Sequence, residues 1–427
     1  MKKIIISLLS FTVLVGLSSC QDKCEQTYTY RYQKPVYYTS AELRNSVASL
    51  PAQDLKSPGK IYAKDNYLFI NELKKGIHVV DNTNPSAPKI ISFLNIPGNT
   101  DIAVMGNILY ADSYVDFLAI DISDPKNMKV VSRTQDAFPS GSIDGTFWQY
   151  NTGTQIVTDY VWETKTVTQT IECDGGMNPD YAYSADGVSS SSFIAKGSVA
   201  AQTSTTGTGT GGSMARFAIY DNYLYAVTNS DMQLFNISKP DLPKKDSKIS
   251  LGWGIETIFP YKDKLFVGTT TGLQILDNAV PSKPTLLSSI SHVMSCDPVV
   301  VDDNYAYLTL RSGTNCARGV NQLQVINIQN LKSPFIVKSY PMLNPHGLGI
   351  DNKTLFLCEG DFGLKVFNAS DVTSIDQNLL VHFKDLKSYD VIPLGGTLMM
   401  VGADGLYQYD YKDPKILKLL SIIPVKR

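Results

Sequence analysis

The chain has little of what usually carries chemistry. Its 427 residues include four His and three Trp. The four histidines, His78, His292, His346 and His382, are too far apart for HExxH or any other tight ligand spacing. No GxSxG elbow, phosphate-binding Walker loop or EF-hand sequence occurs, and DGGMNPD at Asp174 has the wrong spacing for a calcium loop. The net charge is −2 and no Lys/Arg run or basic stripe is present, so nucleic acid is not expected as a partner. Beyond the first twenty residues no segment is apolar enough to span a bilayer.

What the chain does have is one pattern written seven times: an apolar pair, Asp or Asn, a short turn usually holding Pro, then an apolar run. The copies begin GIHVVDNTNP at Gly76, FLAIDISDP at Phe117, MQLFNISKP at Met232, GLQILDNAVP at Gly272, QLQVINIQN at Gln322, GLKVFNASD at Gly363 and GLYQYDYKDP at Gly405. Their Asp or Asn residues are Asp81, Asp121, Asn236, Asp277, Asn327, Asn368 and Asp410, with successive spacings of 40, 115, 41, 50, 41 and 42. Four spacings are one period; the 115 and the 50 are one period with an insertion. Each unit parses into four short β-branched or aromatic strands bounded by Gly, Asn, Asp and Pro; the second reads Asp101–Val104, Ile108–Asp112, Phe117–Ile122 and Lys129–Arg133. The first hairpin turn recurs as Asp65-Asn66, Gly106-Asn107, Asp221-Asn222, Asp263-Lys264, Asp303-Asn304, Asn352-Lys353 and Gly395-Gly396, pairs that tolerate the positive φ of tight hairpins.

Seven units of four antiparallel strands predict an all-β, seven-bladed β-propeller over residues 59–427, interrupted by an insertion at about 140–213. A β-helix would have shorter repeats without hairpin turns. The units resemble the LVIVD-repeat family of bacterial propellers through HVVDNTNP, LAIDISDP and LQVINIQN. The sixth unit departs in lacking the turn proline, and the seventh in placing Tyr409 and Tyr411 where aliphatics are usual. The resemblance implies the fold and assigns no activity. The Trp-docking repeats of quinoprotein propellers are missing.

Residues 1–19 read as an export signal: Lys2 and Lys3, then an apolar stretch too short for a comfortable membrane span, then small residues. Leu17-Ser18-Ser19-Cys20 resembles the bacterial lipobox, which implies cleavage before Cys20 and lipidation of its thiol, a lipid anchor in the membrane. Gln21 fits passage to the outer membrane. Asp22 and Glu25 faintly resemble the surface-export signals of Bacteroidota lipoproteins, leaving the periplasmic face and the cell surface both open. Residues 20–58 read as a tether in which TYTYRYQKPVYY alternates as a strand. Both ends of the ring hold complete units, so an interleaved closure has no evident donor, and residues 27–38 are expected to add an outer strand or cover the seam.

Within the insertion, QIVTDYVWETKTVTQTIEC reads as a long strand or hairpin, and SSSSFIAKGSVAAQTSTTGTGTGGS has the low-complexity composition of a mobile segment. With Cys20 lipidated, five cysteines remain. Cys296 and Cys316 flank one unit's enlarged loop and are the candidate disulfide, a staple of about 3 kcal/mol in the chain-entropy model. Cys358 reads as a buried free thiol, with a bond to Cys173 as the alternative.

In blades with strands a to d, the b–c turns and d–a connections share one face. The insertion is a d–a connection and the excess at 311–321 is a b–c loop, so both irregularities fall on that face, where binding is expected. The starts of the innermost strands place Lys60, Asp101, Arg216, Glu256, Asp297, His346 and Asp390 at the channel rim. They read either as the polar lining of a water-filled channel or as a binding site; Asp297, His346 and Asp390 are a candidate ligand set for a divalent cation. Three functions fit: an outer-membrane binding module for a protein or glycan ligand of the cell envelope, a hydrolase or lyase using the acidic and histidine rim, and a structural subunit of an envelope complex. The 24 Tyr serve strand packing and suit contact surfaces equally.

Overall fold

The computed structural model describes residues 23–143, 146–151, 155–172, 209–292, 298–312 and 320–426. It divides into two units. In the small unit, described over 23–36 and 160–172, Lys23–Thr39 runs antiparallel to Gln155–Glu172. Thr27 and Thr168 hydroxyls meet at 2.8 Å, Thr29 and Thr166 at 2.9 Å, and Glu163 accepts from Tyr32 and Lys34 at 2.9 Å each. Such opposed pairs are the unit of sheet stabilisation. The Arg31 guanidinium lies over the Trp162 ring at 5.2 Å.

The large unit carries seven sheets, spanning 58–95, 102–134, 217–250, 255–291, 299–341, 348–383 and 388–424, each with four consecutive antiparallel strands, a to d, side by side in chain order. The second sheet is Ile102–Met105, Ile108–Ser113, Asp116–Asp121 and Lys129–Thr134, within about a residue of the boundaries read from sequence. The repeated Asp or Asn explains the period. Its side-chain oxygen accepts the N–H two residues on in all seven copies, for instance Thr83 to Asp81 at 3.0 Å, Ser123 to Asp121 at 2.8 Å and Lys412 to Asp410 at 3.0 Å. This is an Asx turn, and it starts each c–d connection. The N–H directly after the Asx residue bonds in every sheet to a carbonyl of the a–b hairpin turn, as Asn82 does to Asn66 at 2.7 Å and Tyr411 to Gly396 at 3.0 Å. One side chain thus fixes two turns on the same edge.

Six of the seven a–b turns fall where expected. In the fourth sheet, positive φ is at Lys262 (54°), so the turn is Lys262-Asp263 and Lys264 opens the next strand. In the sixth, the missing proline is replaced by a 3-10 turn, Ile375–Gln377, with Asp371 accepting from Thr373 N at 2.9 Å and Ser374 Oγ at 2.6 Å.

Sheet packs on sheet through buried aromatic and aliphatic faces; Phe117 stacks on Phe235 at 3.9 Å between the second and third. Side chains also reach into the next sheet's c–d turn. Tyr110 donates to the Pro240 carbonyl at 3.0 Å, Tyr225 to Pro281 at 2.9 Å, Ser288 to Leu331 at 2.6 Å and Tyr340 to Val372 at 2.6 Å. The same contact joins last to first: Ser421 donates to Pro85 O at 2.6 Å, and Gln408 and Asn82 exchange amide hydrogen bonds at 2.7 and 3.0 Å. Lys426 adds a backbone bond to Leu55 O at 2.8 Å and an ion pair with Asp54 at 2.8 Å. Closure therefore needs no exchanged strand. The outer strand added to the first sheet is not 27–38 but Ala48–Pro51, paired with Ser92–Asn95, whereas Lys23–Thr39 pairs with the insertion.

Cys358 is buried and free, so its alternative bond to Cys173 is not made. Cys24 is disulfide-bonded. Cys20, Cys296 and Cys316 lie outside the described residues, as do Asp297 and most of the low-complexity stretch.

Candidate functional site

The a-strand starts bring three of the rim residues into one buried knot. Asp101 accepts from Lys60 Nζ at 3.0 Å, from Phe217 N at 3.2 Å, from Arg216 N, and through its other oxygen from Ile102 N at 2.8 Å. This carboxylate ties the first, second and third sheets at their inner ends. Beneath it, Asp112 accepts from Thr100 N at 2.7 Å, Asn99 Nδ2 at 2.9 Å and Asp101 N at 3.0 Å. Burial outweighs these bonds and pushes the Asp112 carboxyl up to about 6.

His346 and Asp390 are also buried. An Arg311 guanidinium nitrogen lies 3.1 Å from His346 Nδ1, and burial, then that charge, holds the imidazole well below its ordinary pKa. The His346 backbone is pinned, N to Cys358 O at 2.7 Å and O from Thr309 Oγ1 at 2.5 Å, which accords with a turn-fixing role for NPHG. Glu256 lies half-buried in the first strand of the fourth sheet. Among the described residues no group of three or more His, Cys, Asp and Glu is placed to hold a metal ion.

The chain itself enters the centre, which sequence reasoning missed. Residues 209–213, the Gly-Thr-Gly-Gly-Ser end of the low-complexity stretch, are buried, and Thr210–Gly211 pairs with Tyr62 and Ala63 on the free edge of the first a strand. Gly209 N donates to Val104 O at 3.1 Å and Tyr62 Oη to Gly209 O at 3.1 Å. Ser213 Oγ accepts from Leu348 N at 3.0 Å and donates to Asp390 at 3.4 Å. This short segment therefore touches the first, second, sixth and seventh sheets. Glycine is required at 209, where a Cβ would lie 2.3 Å from the Tyr62 ring. The signal was present in the sequence as a glycine cluster directly before an a strand.

An accessible concavity lies further out on the loop-rich face. A groove of about 680 Å³ opens between Asp136–Gln149, at the start of the insertion, and the b–c turn and outer strand of the third sheet. Trp253 stands at its edge, 79% exposed. It sits in a Gly-Trp-Gly turn of the d–a connection, with Gly252 and Gly254 both at φ 90°. That turn is fixed by Leu251 N to Ser230 O at 3.0 Å, Gly254 N to Asn229 O at 2.8 Å and Thr270 N to Gly254 O at 2.7 Å.

Comparison with known proteins gives the repeat its family. The chain carries LVIVD repeats at residues 58–95 and 98–136, each coinciding with one four-stranded sheet, the first and the second. No curated protein sequence matches the chain. Among solved structures it is similar to a protein from Lactobacillus plantarum (12% identity, 79% of this chain and 86% of that one, TM-score 0.49). It is similar also to Kluyveromyces lactis Hsv2 (11% identity, 85% and 97%, TM-score 0.47) and to BamB from Moraxella catarrhalis (8% identity, 88% and 99%, TM-score 0.44).

Proposed function

We propose that this protein is a lipid-anchored lipoprotein of the cell envelope, lipidated at Cys20, whose seven-bladed β-propeller is a binding module for a protein or glycan ligand. The ligand is taken by the loop-rich face. The observation that supports this reading is that buried residues 209–213 pair with the inner edge of the first sheet, which turns attention from the centre to the outer connections of the same face. Burial of Lys60, Asp101, Arg216, His346 and Asp390 speaks against a hydrolase or lyase built on them, because a substrate would first have to displace the bonds that Lys60, Asp101 and Asp390 make between elements.

Two experiments test the reading. Cys20→Ala should move the protein from the membrane fraction to the soluble fraction, and an unchanged distribution would refute the anchor. Crosslinking in intact cells, with mass spectrometry of the captured species, should lose its product when residues 173–208 are replaced by a short linker that keeps 209–213. Undiminished capture by that variant would remove the loop-rich face from the proposal.

A further inference from the structure

We propose that the groove beside Trp253 is a binding site for a neutral oligosaccharide. This rests on the reading of the protein as a binding module and names the chemistry of what one part of its loop-rich face takes.

The first argument is the tryptophan. Of the large apolar side chains on the described surface, Trp253 is the most exposed, at 79%. Leaving an indole in water forfeits one of the largest burial gains a side chain can make, of order 2–3 kcal/mol. Sequence and backbone also keep it there. Two glycines at positive φ turn the chain out and back, and four backbone hydrogen bonds hold residues 251–255 to Asn229, Ser230 and Thr270. At Gly254 a Cβ would lie 2.2 Å from Thr270 Oγ1, so only glycine lets the turn close this tightly. The ring is a pre-positioned flat apolar surface, costing little entropy on binding.

The second argument is what surrounds it. The groove volume of about 680 Å³ lies within the roughly 300–1,000 Å³ of small-ligand sites. Most of its lining residues are polar or charged, while apolar atoms contribute the larger part of its exposed surface, a mixture of flat apolar area and polar edge. Its charged side chains are each held by a neighbour. Asp231 pairs with Lys248 at 3.3 Å, Asp136 with Arg44 at 3.1 Å, Asp246 accepts from Tyr223 Oη at 3.0 Å, and Lys245 Nζ reaches Ala137 O at 3.3 Å. With three carboxylates and two lysines in its lining, the groove has no positive excess to attract a phosphate or carboxylate ligand.

The third argument is the set of groups left over. Among the described residues the Trp253 indole N–H, the Gln149 side-chain amide and Oδ1 of Asp231 take part in no hydrogen bond. A ring-stacking surface, a planar amide and a carboxylate oxygen held beside a lysine are complementary to a sugar, whose C–H face is apolar and whose edge is ringed with hydroxyls that both donate and accept. A lipid acyl chain would leave the amide and carboxylate unpaired, and a polyanion would face the carboxylates.

The test uses the purified full-length protein and an array of neutral oligosaccharides built from glucose, mannose, galactose and N-acetylglucosamine, with free sugar at about 1 mM, the weak end of specific binding. The expected result is retention of at least one array member, with affinity falling about tenfold or more in Trp253→Ala and in Asp231→Asn while the urea midpoint is unchanged. Trp253→Phe, which keeps a flat ring, should retain part of the binding and separates stacking from a folding defect. No binding to the array, or equal binding by Trp253→Ala, overturns the inference. If that happens while intact-cell crosslinking still captures a protein through the loop-rich face, the binding-module reading stands and only the carbohydrate site falls.

Discussion

Placing one methyl group at Gly209 tests whether the chain truly enters its own centre. In Gly209→Ala the new Cβ would lie 2.3 Å from Tyr62 Cε1 and 2.7 Å from the Ala63 carbonyl oxygen. Neither can yield easily. Tyr62 is 2% exposed and its hydroxyl is committed to the Gly209 carbonyl, and Ala63 O belongs to a strand backbone. Retaining the segment therefore carries an overpacking penalty of about 1–3 kcal/mol. Releasing it gives up the bonds from Gly209 N, Tyr62 Oη and Leu348 N, at about 1 kcal/mol net each, or about 3 kcal/mol together. The two costs are comparable, so release caps the loss. We expect a destabilisation of about 1–3 kcal/mol by urea denaturation at unchanged m, with hydrogen exchange at residues 209–213 and at Tyr62–Ala63 accelerated well beyond that of other a strands. Ser213→Ala should accelerate exchange at Leu348 N–H without the steric cost. Wild-type protection at 209–213 in Gly209→Ala would refute this placement of the segment and reopen the channel as a site.

Three further outcomes follow from the buried polar groups. The folded state holds the Asp112 proton up to about pH 6 while the unfolded chain releases it near pH 4, so stability should fall as pH rises across that window, by up to about 3 kcal/mol; Asp112→Asn should flatten the dependence in urea midpoints taken at its two ends. Lys60→Met leaves the Asp101 carboxylate buried without its cation and should cost about 3–5 kcal/mol, and the double variant Lys60→Met/Asp101→Leu should recover less than Lys60 alone accounts for, since Asp101 also receives the Phe217 and Ile102 N–H groups; full recovery in thermal melts would contradict that accounting. Alkylation without reductant should leave Cys24 unlabelled and label Cys358 only after unfolding, and peptide mapping should find Cys24 joined to Cys173, which directly follows the strand whose Thr168 and Thr166 face Thr27 and Thr29.

The scaffold was legible because its energetics are local and repeated. An Asx side chain that caps its own turn and sets the neighbouring hairpin must recur with every sheet, and seven recurrences cannot be mistaken for chance. The fourth hairpin was misplaced by one residue because Lys262 adopts the positive φ that Asp263 suggested for itself. What closes the ring was not legible. Gln408, Asn82 and Pro85 are ordinary polar and turn residues more than 300 positions apart, and nothing local marks them as partners. Ala48–Pro51 is too short to show alternation. Residues 209–213 were misread for a different reason. Glycine, threonine and serine in low complexity usually mean a chain unable to bury apolar surface, but here the narrowness of the inner edge makes small size the requirement.

That misreading bears on function. The rim residues looked like a site because seven strands deliver ionisable groups to one place, and geometry alone cannot tell a seam from a pocket. Partners can. Asp101 spends its acceptors on three sheets, and Asp390 faces a serine from the chain's own returning segment, while a buried Arg216 guanidinium nitrogen has no hydrogen-bond partner among the described residues. The opposite holds at the groove beside Trp253, where an indole on a fixed turn, an amide and a carboxylate oxygen remain uncommitted among the described residues. In a repeat protein most polar groups at the centre serve closure, because every sheet must be tied to two neighbours. Binding capacity is then best sought where one connection departs from the others and holds side chains out of the core against their burial free energy. In this chain the Gly-Trp-Gly turn between the third and fourth sheets does both.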